Sequence, residues 1–288
     1  MFARITLASL LLWAATVEES PGPKTQEEGP LRQQLWLVTS PVPNLLMQTT
    51  ILRPQGPGPF SLAIINHGST ANADDRADLP LPEFETLATW FVHRGYAVAL
   101  PQRPGHGETG GPYLEDIGSC SSPDYRAAGL GAAASIETAA RYLISQPFIR
   151  KDGVLLVGHS AGAWGALAAA SRGLQSYGGA VINFAGGLGG HSYGKPNRNC
   201  APDQLVKTAE LFGRTARVPT LWIYTSNDTF FGPDLSKTMA DSFRAVGGIA
   251  EYHLLPPVGD EGHFMIFSPR TVRLWAPIVA KFLGIRIR

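Results

Sequence analysis

Cysteine is scarce in this chain: 288 residues hold two, Cys120 and Cys200. Neither has a second Cys or a His at metal-ligand spacing, so zinc-ribbon and cluster-binding classes are excluded and no metal is expected. Net charge is nearly absent. Lys and Arg total 24 against 23 Asp and Glu, a formal balance of +1. So even a balance does not gather nucleic acid or anionic lipid, and no basic run or RNA-reading aromatic motif stands in the chain. No internal repeat at a period of roughly 20–50 residues is visible, which argues against a solenoid. Beyond the N-terminus no window holds the 18 or so apolar residues that a membrane span requires, so no span is expected. What the chain has is apolar material and turn residues. Hydrophobic residues make up 44%, with 32 Gly and 23 Pro. That composition suits a large core crossed by many short loops.

The N-terminus has a pattern of its own. Arg4 precedes an apolar run from Ile5 to Ala15, the shape of a secretory signal. Residues 1–17 therefore read as a signal peptide, with cleavage near Ala14 to Val17; a buried N-terminal helix is the alternative. Residues 18–30, which include SPGPKTQEEGP, read as a flexible leader, and residues 31–288 as one domain. The expected location is secreted or periplasmic, or cytoplasmic if the N-terminus is not a signal. Export would allow a disulfide between Cys120 and Cys200, both in loop-like sequence; two free thiols in a reducing compartment is the other reading.

From residue 60 onward strand-like and helix-like segments alternate. FSLAIIN (60–66), YAVAL (96–100), GVLLV (153–157), AVINF (180–184), TLWIY (220–224) and 251–255 read as strands. Two opening strands, 35–38 and 46–52, precede them. Helical patterns cover 82–94, 123–146, 161–171, 233–246 and 272–283. This order predicts an α/β fold: a mostly parallel central sheet with helices on both faces. The Gly-rich stretch 186–202 is long enough to be a lid or cap loop.

The strongest chemical signal is Gly158-His159-Ser160-Ala161-Gly162, directly after the strand GVLLV and directly before a helix. A G-x-S-x-G pentapeptide means little alone. Between strand and helix it describes a nucleophile elbow, where a turn too tight for side chains two residues either side lifts the Ser hydroxyl above the sheet. A serine needs a base. Of seven histidines, His263 in GDEGHF follows the last strand and precedes the final helix, where such a base belongs. His93 and His253 suit surface or core positions, and His159 suits packing in the elbow. Asp228, four residues past TLWIY, is the acid that would orient the imidazole. Asp234 reads as a helix cap, and Asp260 and Glu261 lie too near His263 in sequence. The loop Asn66-His67-Gly68-Ser69 follows a strand, so the amides of Ser69 and Ala161 are the candidate oxyanion donors. Trp164, His191, Phe230 and Phe231 are candidate substrate contacts. Gly129-Leu-Gly131-Ala-Ala-Ala134 matches a dinucleotide fingerprint but lacks the preceding strand, and AGGLGG (185–190) lacks the following helix. No cofactor is expected.

Taken together, INHGST (65–70), RPGHGET (103–109), VGHSAGAWG (157–165), YTSNDTFFGP (224–233) and GDEGHF (259–264) resemble the α/β-hydrolase superfamily, and within it the dienelactone-hydrolase-like serine esterase branch. The resemblance covers roughly residues 60–285. It implies a triad of Ser160, Asp228 and His263, an oxyanion hole at Ser69 and Ala161, no cofactor, and hydrolysis of carboxylic esters. Dienelactone hydrolases themselves carry Cys where Ser160 stands, which turns the expectation from dienelactone toward a general small-molecule ester. Two alternatives accompany it. One is a serine peptidase of the prolyl-oligopeptidase type, which usually needs a large extra domain. The other is a hydrolase fold that only binds, whose mark would be a missing triad member.

Overall fold

The computed structural model of the protein describes residues 19–173 and 179–285. The expected signal peptide lies outside the described residues. The strands are β1 (Gly22–Pro23), β2 (Gln34–Thr39), β3 (Leu46–Leu52), β4 (Phe60–Asn66), β5 (Tyr96–Pro101), β6 (Ile149–His159), β7 (Ala180–Phe184), β8 (Thr220–Thr225) and β9 (Ala250–Leu255). The helices are α1 (Ala73–Ala77), α2 (Glu85–Val92), α3 (Tyr125–Ile144), α4 (Ala161–Ser171), α5 (Pro202–Gly213), α6 (Pro233–Ala245) and α7 (Val272–Phe282).

The strands form one sheet in the order β1-β2-β3-β5-β4-β6-β7-β8-β9. From β5 to β9 all neighbours are parallel, joined by helical crossovers. The first three strands attach antiparallel at one edge. The predicted α/β architecture is the one found.

The apolar alternation of the strands divides the core in two. Leu62, Ile64, Leu156, Trp222 and Tyr224 face α3, α4, α5 and α6. Ala63, Ile65, Leu155, Val157, Leu221 and Ile223 face α2 and α7, where Phe91 and Trp275 fill the layer. Strands buried on both faces have this near-continuous apolar composition. Helix α4 is buried on every side, as its Ala-rich sequence AGAWGALAAAS permits.

Element boundaries shift from the sequence expectations where Pro and caps intervene. Helix α2 begins at Glu85, after the turn that holds Pro80 and Pro82. Helix α3 begins after Asp124, whose carboxylate accepts the Ala127 amide at 2.8 Å. The expected flexible leader is corrected in part: Gly22 and Pro23 pair with Leu37 and Trp36, and Lys24 donates to the Leu35 carbonyl. Helix α5, which the sequence reading passed over, buries Leu205, Ala209 and Phe212 on one face.

Cys120 and Cys200 form a disulfide. It joins the loop before α3 to the loop before α5. The Tyr125 hydroxyl bonds the Cys200 carbonyl beside it.

Candidate active site

The carboxyl ends of the parallel strands are where an open α/β sheet exposes its loops. Strand β6 ends at His159 and α4 starts at Ala161, so Ser160 alone makes the turn. Its backbone sits at φ 54°, ψ −123°. A non-glycine residue held there costs about 1–3 kcal/mol and persists only where surrounding structure enforces it. That enforcement is visible. The Ser160 amide donates to the Phe184 carbonyl at 3.1 Å, and its carbonyl accepts the Ala163 and Trp164 amides at 3.1 Å. A Cβ on Gly158 would overlap the backbone of Ala163, and one on Gly162 would overlap that of Asn66 and His67. The elbow closes only because both positions lack side chains.

Asp228 and His263 arrive on the loops after β8 and β9. The Nδ1–H of His263 donates to Oδ2 of Asp228 at 3.1 Å. The other carboxylate oxygen accepts the amides of Phe230 and Phe231, each at 2.8 Å. Asp228 is therefore fixed by its own loop and both residues are buried. Glu261 adds a second tie. Its Oε1 accepts the His263 amide at 2.9 Å and the Thr229 amide at 3.1 Å, while Oε2 accepts the Thr229 hydroxyl. The Asp228 loop and the His263 loop are thus joined through one carboxylate. Sequence reasoning set Glu261 aside as too near His263; its role in joining the loops becomes visible only in three dimensions.

Rings enclose the imidazole. Phe230 stacks on His263 with centroids 4.2 Å apart and planes 21° apart. On the far face of Phe230 lies His191, stacked at 3.5 Å and 12°. The Nε2–H of His191 donates to the Thr229 hydroxyl at 2.8 Å. This fixes the stretch 186–202 against the Asp228 loop, helped by the Asn199 amide on the Phe230 carbonyl at 2.6 Å.

Ser69 stands on the loop after β4. Its hydroxyl donates to Nε2 of His106 at 2.8 Å and accepts the Tyr113 hydroxyl at 3.1 Å. His106 Nδ1–H donates to the Arg103 carbonyl at 3.1 Å. His67 accepts the Arg103 amide at Nε2 and donates from Nδ1 to the Gly68 carbonyl at 2.6 Å. Burial pushes the pKa of His67 well below that of an ordinary imidazole, with Arg103 adding to the effect, and burial lowers His106 as well. Both are then neutral rings, as their donor and acceptor roles require. Beneath them the Arg103 guanidinium forms a buried two-point pair with Glu115 at 2.5 and 2.9 Å. The RPGHGET and INHGST motifs are two halves of this one network. The loop approaches the elbow closely enough that a Cβ on Gly68 would lie 3.3 Å from the Ser160 Cβ. Among the described residues the amides of Ser69 and Ala161 have no hydrogen-bond partner. For Ala161 this follows from its place as the first helical amide.

Many of these groups border one cavity of about 880 Å³, while Asp228, Glu261, Arg103 and His106 lie behind its lining. Ser160, His263, Ser69, Ala161, His191, Phe230 and Phe231 line it, and so does the disulfide. Trp164, expected as a substrate contact, does not. It is fully buried between Tyr125 and Phe212, and its indole N–H donates to the Tyr125 carbonyl at 2.9 Å. The Ser160 hydroxyl and the Nε2 of His263 form no hydrogen bond among the described residues. His159 lines the cavity too, with its ring centre 4.8 Å from that of His263. Its Nε2–H donates to the His263 carbonyl at 2.9 Å, and burial, with His263 nearby, brings its pKa down to about 3. Among the described residues no group of three or more His, Cys, Asp or Glu is arranged to hold a metal, and no helix is long and apolar enough to cross a membrane.

Comparison with known proteins agrees with this architecture. Residues 82–185 match the model of the prolyl oligopeptidase family. A sequence search among curated proteins finds no match. Among solved structures, acylaminoacyl peptidase from Pyrococcus horikoshii superposes with a TM-score of 0.64 at 15% identity, over 89% of this chain and 42% of its own. The chain thus spans about two fifths of the length of that peptidase. An esterase from Pyrococcus furiosus gives 0.60 at 14% identity, over 88% of this chain and 92% of its own. A candidate dienelactone hydrolase from Klebsiella pneumoniae gives 0.58 at 16% identity, over 86% and 97%. The peptidase, the esterase and the candidate lactone hydrolase share one scaffold with this molecule: the chain has the α/β-hydrolase fold.

Proposed function

We propose that the protein is a serine hydrolase that cleaves carboxylic esters of small molecules through an acyl-enzyme. The observation that supports this best is a serine held at φ 54°, ψ −123° on a strand–helix elbow. It borders the same cavity as an imidazole whose Nδ1 is 3.1 Å from a buried carboxylate. In this reading the bond from Nδ1–H to Asp228 leaves Nε2 of His263 unprotonated and free to act as base. His263 takes the hydroxyl proton as Ser160 Oγ bonds to the ester carbonyl carbon. The oxyanion so formed accepts the amide N–H groups of Ser69 and Ala161. Collapse breaks the bond to the leaving oxygen, which receives the proton from His263, and the alcohol departs. Water then gives a proton to His263, attacks the acyl carbon, and the acid leaves as Ser160 regains its proton.

The test is Ser160→Ala and His263→Ala on p-nitrophenyl esters and on a prolyl amide. Removal of a nucleophile or base of this kind lowers kcat by roughly 10⁵–10⁶-fold. Ester turnover that survives in Ser160→Ala sinks the mechanism. A second reading, peptidase activity, draws on the prolyl oligopeptidase match over 82–185. Amide cleavage without ester cleavage by the native protein would favour it. Export of the chain belongs to the same proposal, supported by the disulfide.

A further inference from the structure

The cavity wall beside Ser160 is made of aromatic rings in series. Phe84 stacks on Phe267 with centroids 5.0 Å apart and planes 27° apart. Phe267 meets His159 edge-on at 5.2 Å. Phe264 lies 5.9 Å from His159 and meets His263 edge-on at 5.1 Å. The series is continuous from Phe84 to the imidazole, and His159, uncharged at working pH, puts no charge into it.

Two of these rings are left half open. Phe264 is 48% exposed and Phe267 is 45% exposed, though both line the cavity. Their apolar faces are in contact with water that a substrate would displace. Of the four charged residues that line the cavity, Glu83 is exposed, and the other three, Arg76, Glu115 and Asp116, are engaged by neighbours. Glu115 is held by Arg103. Nη1 of Arg76 donates to the carbonyls of Thr70 and Ala71, both at 2.9 Å, and its guanidinium lies 3.8 Å from the Tyr113 ring centre. The Asp116 carboxylate accepts the Gly118 amide at 2.8 Å. The volume, about 880 Å³, lies in the range of pockets that enclose ligands of drug size and far exceeds what an acetyl group fills.

We propose that Phe264 and Phe267 form the recognition surface for a ring-bearing apolar half of the ester, an arylalkanoyl acid or an arylalkyl alcohol. The inference rests on Ser160 acting as nucleophile. It deepens that reading by assigning the substrate class.

Two ester series test it. One varies the acid of p-nitrophenyl esters: acetate, hexanoate, phenylacetate and phenylpropionate. The other varies the alcohol of acetates: ethyl, hexyl and phenethyl. In at least one series kcat/KM for the ring-bearing ester should exceed that of the smallest member by about tenfold or more, and the responding series identifies which half carries the ring. In Phe264→Ala and Phe267→Ala that ratio should fall about tenfold. Phe267→Leu, which keeps apolar bulk and loses the ring face, should leave the ratio of the six-carbon ester to the smallest member unchanged and lower the ratio for the ring-bearing ester. Ratios near one in both series overturn the proposal. So do variants that slow small and ring-bearing esters equally. Turnover in Ser160→Ala would instead overturn the reading beneath it, so the two failures are separable.

Discussion

His159 should make the fold acid-sensitive by an amount that the structure sets. The imidazole is buried against His263, and its pKa falls from 6.5 to about 3. The unfolded chain takes up a proton on this side chain as pH drops through about 6.5, and the folded chain does not. The stability linked to His159 is therefore fully present above about pH 6.5. It declines as pH falls and stops declining near pH 3, where the folded form also protonates. Each pH unit in that window removes about 1.4 kcal/mol. Two units, to about pH 4.5, remove about 3 kcal/mol, a large share of a typical total of about 5–15 kcal/mol. His159→Gln isolates this contribution, because a Gln amide can still donate to the His263 carbonyl but does not titrate. Urea unfolding at about pH 7.5 and about pH 4.5, with the disulfide intact, gives the pH-dependent loss for each protein. The loss in His159→Gln should be smaller by about 3 kcal/mol, whatever its absolute stability. Identical losses in the two proteins would show that His159 is not held neutral by burial, and the argument would fail. His67 shifts in the same direction, so the remaining loss in the variant should be substantial.

Phe230→Leu removes the ring stacked on His263 and should lower kcat about two- to thirtyfold with little change in KM, measured on p-nitrophenyl acetate; the range follows from about 0.5–2 kcal/mol for a cation against a ring face as the imidazole gains its proton. Glu115→Gln leaves the buried Arg103 guanidinium without its counter-charge and should cost about 3–5 kcal/mol in urea unfolding; a loss under about 1 kcal/mol would contradict the pairing. Replacing Cys120 and Cys200 together by Ser releases a loop of 80 residues' separation and should cost about 4.5 kcal/mol in the chain-entropy model, read as a lower denaturation midpoint.

The sequence displays the architecture plainly because a parallel sheet buried on both faces requires runs such as FSLAIIN and TLWIY, and because Gly and Pro mark their ends. Candidate residues at strand ends are legible for the same reason. Ser160, Asp228 and His263 each lie just past a strand, and the loops after parallel neighbours point to one edge. Trp164 shows where such reading stops. It lies four residues past Ser160 on a helix buried all round, and a helix without a polar face gives no sign of which way a side chain points. Glu261, two residues from His263, and Tyr113, 44 residues from Ser69, act through contacts that only the folded chain creates. Helix α5 is harder to see despite Leu205, Ala209 and Phe212 at helical spacing, because the residue before its first turn is Ala201, which offers no side-chain cap to announce it.

The elbow divides the neighbourhood of the cavity into parts that tolerate change and parts that do not. Positions 158 and 162 are closed to every other amino acid by neighbouring backbone, so diversity introduced there yields misfolded protein and no new selectivity. Phe264 and Phe267 are half open, and they meet the elbow at the His159 ring rather than at its two glycines. A library intended to change what the molecule accepts therefore belongs on the short segment after His263, which leaves the strained serine and its glycine neighbours as fixed scaffold.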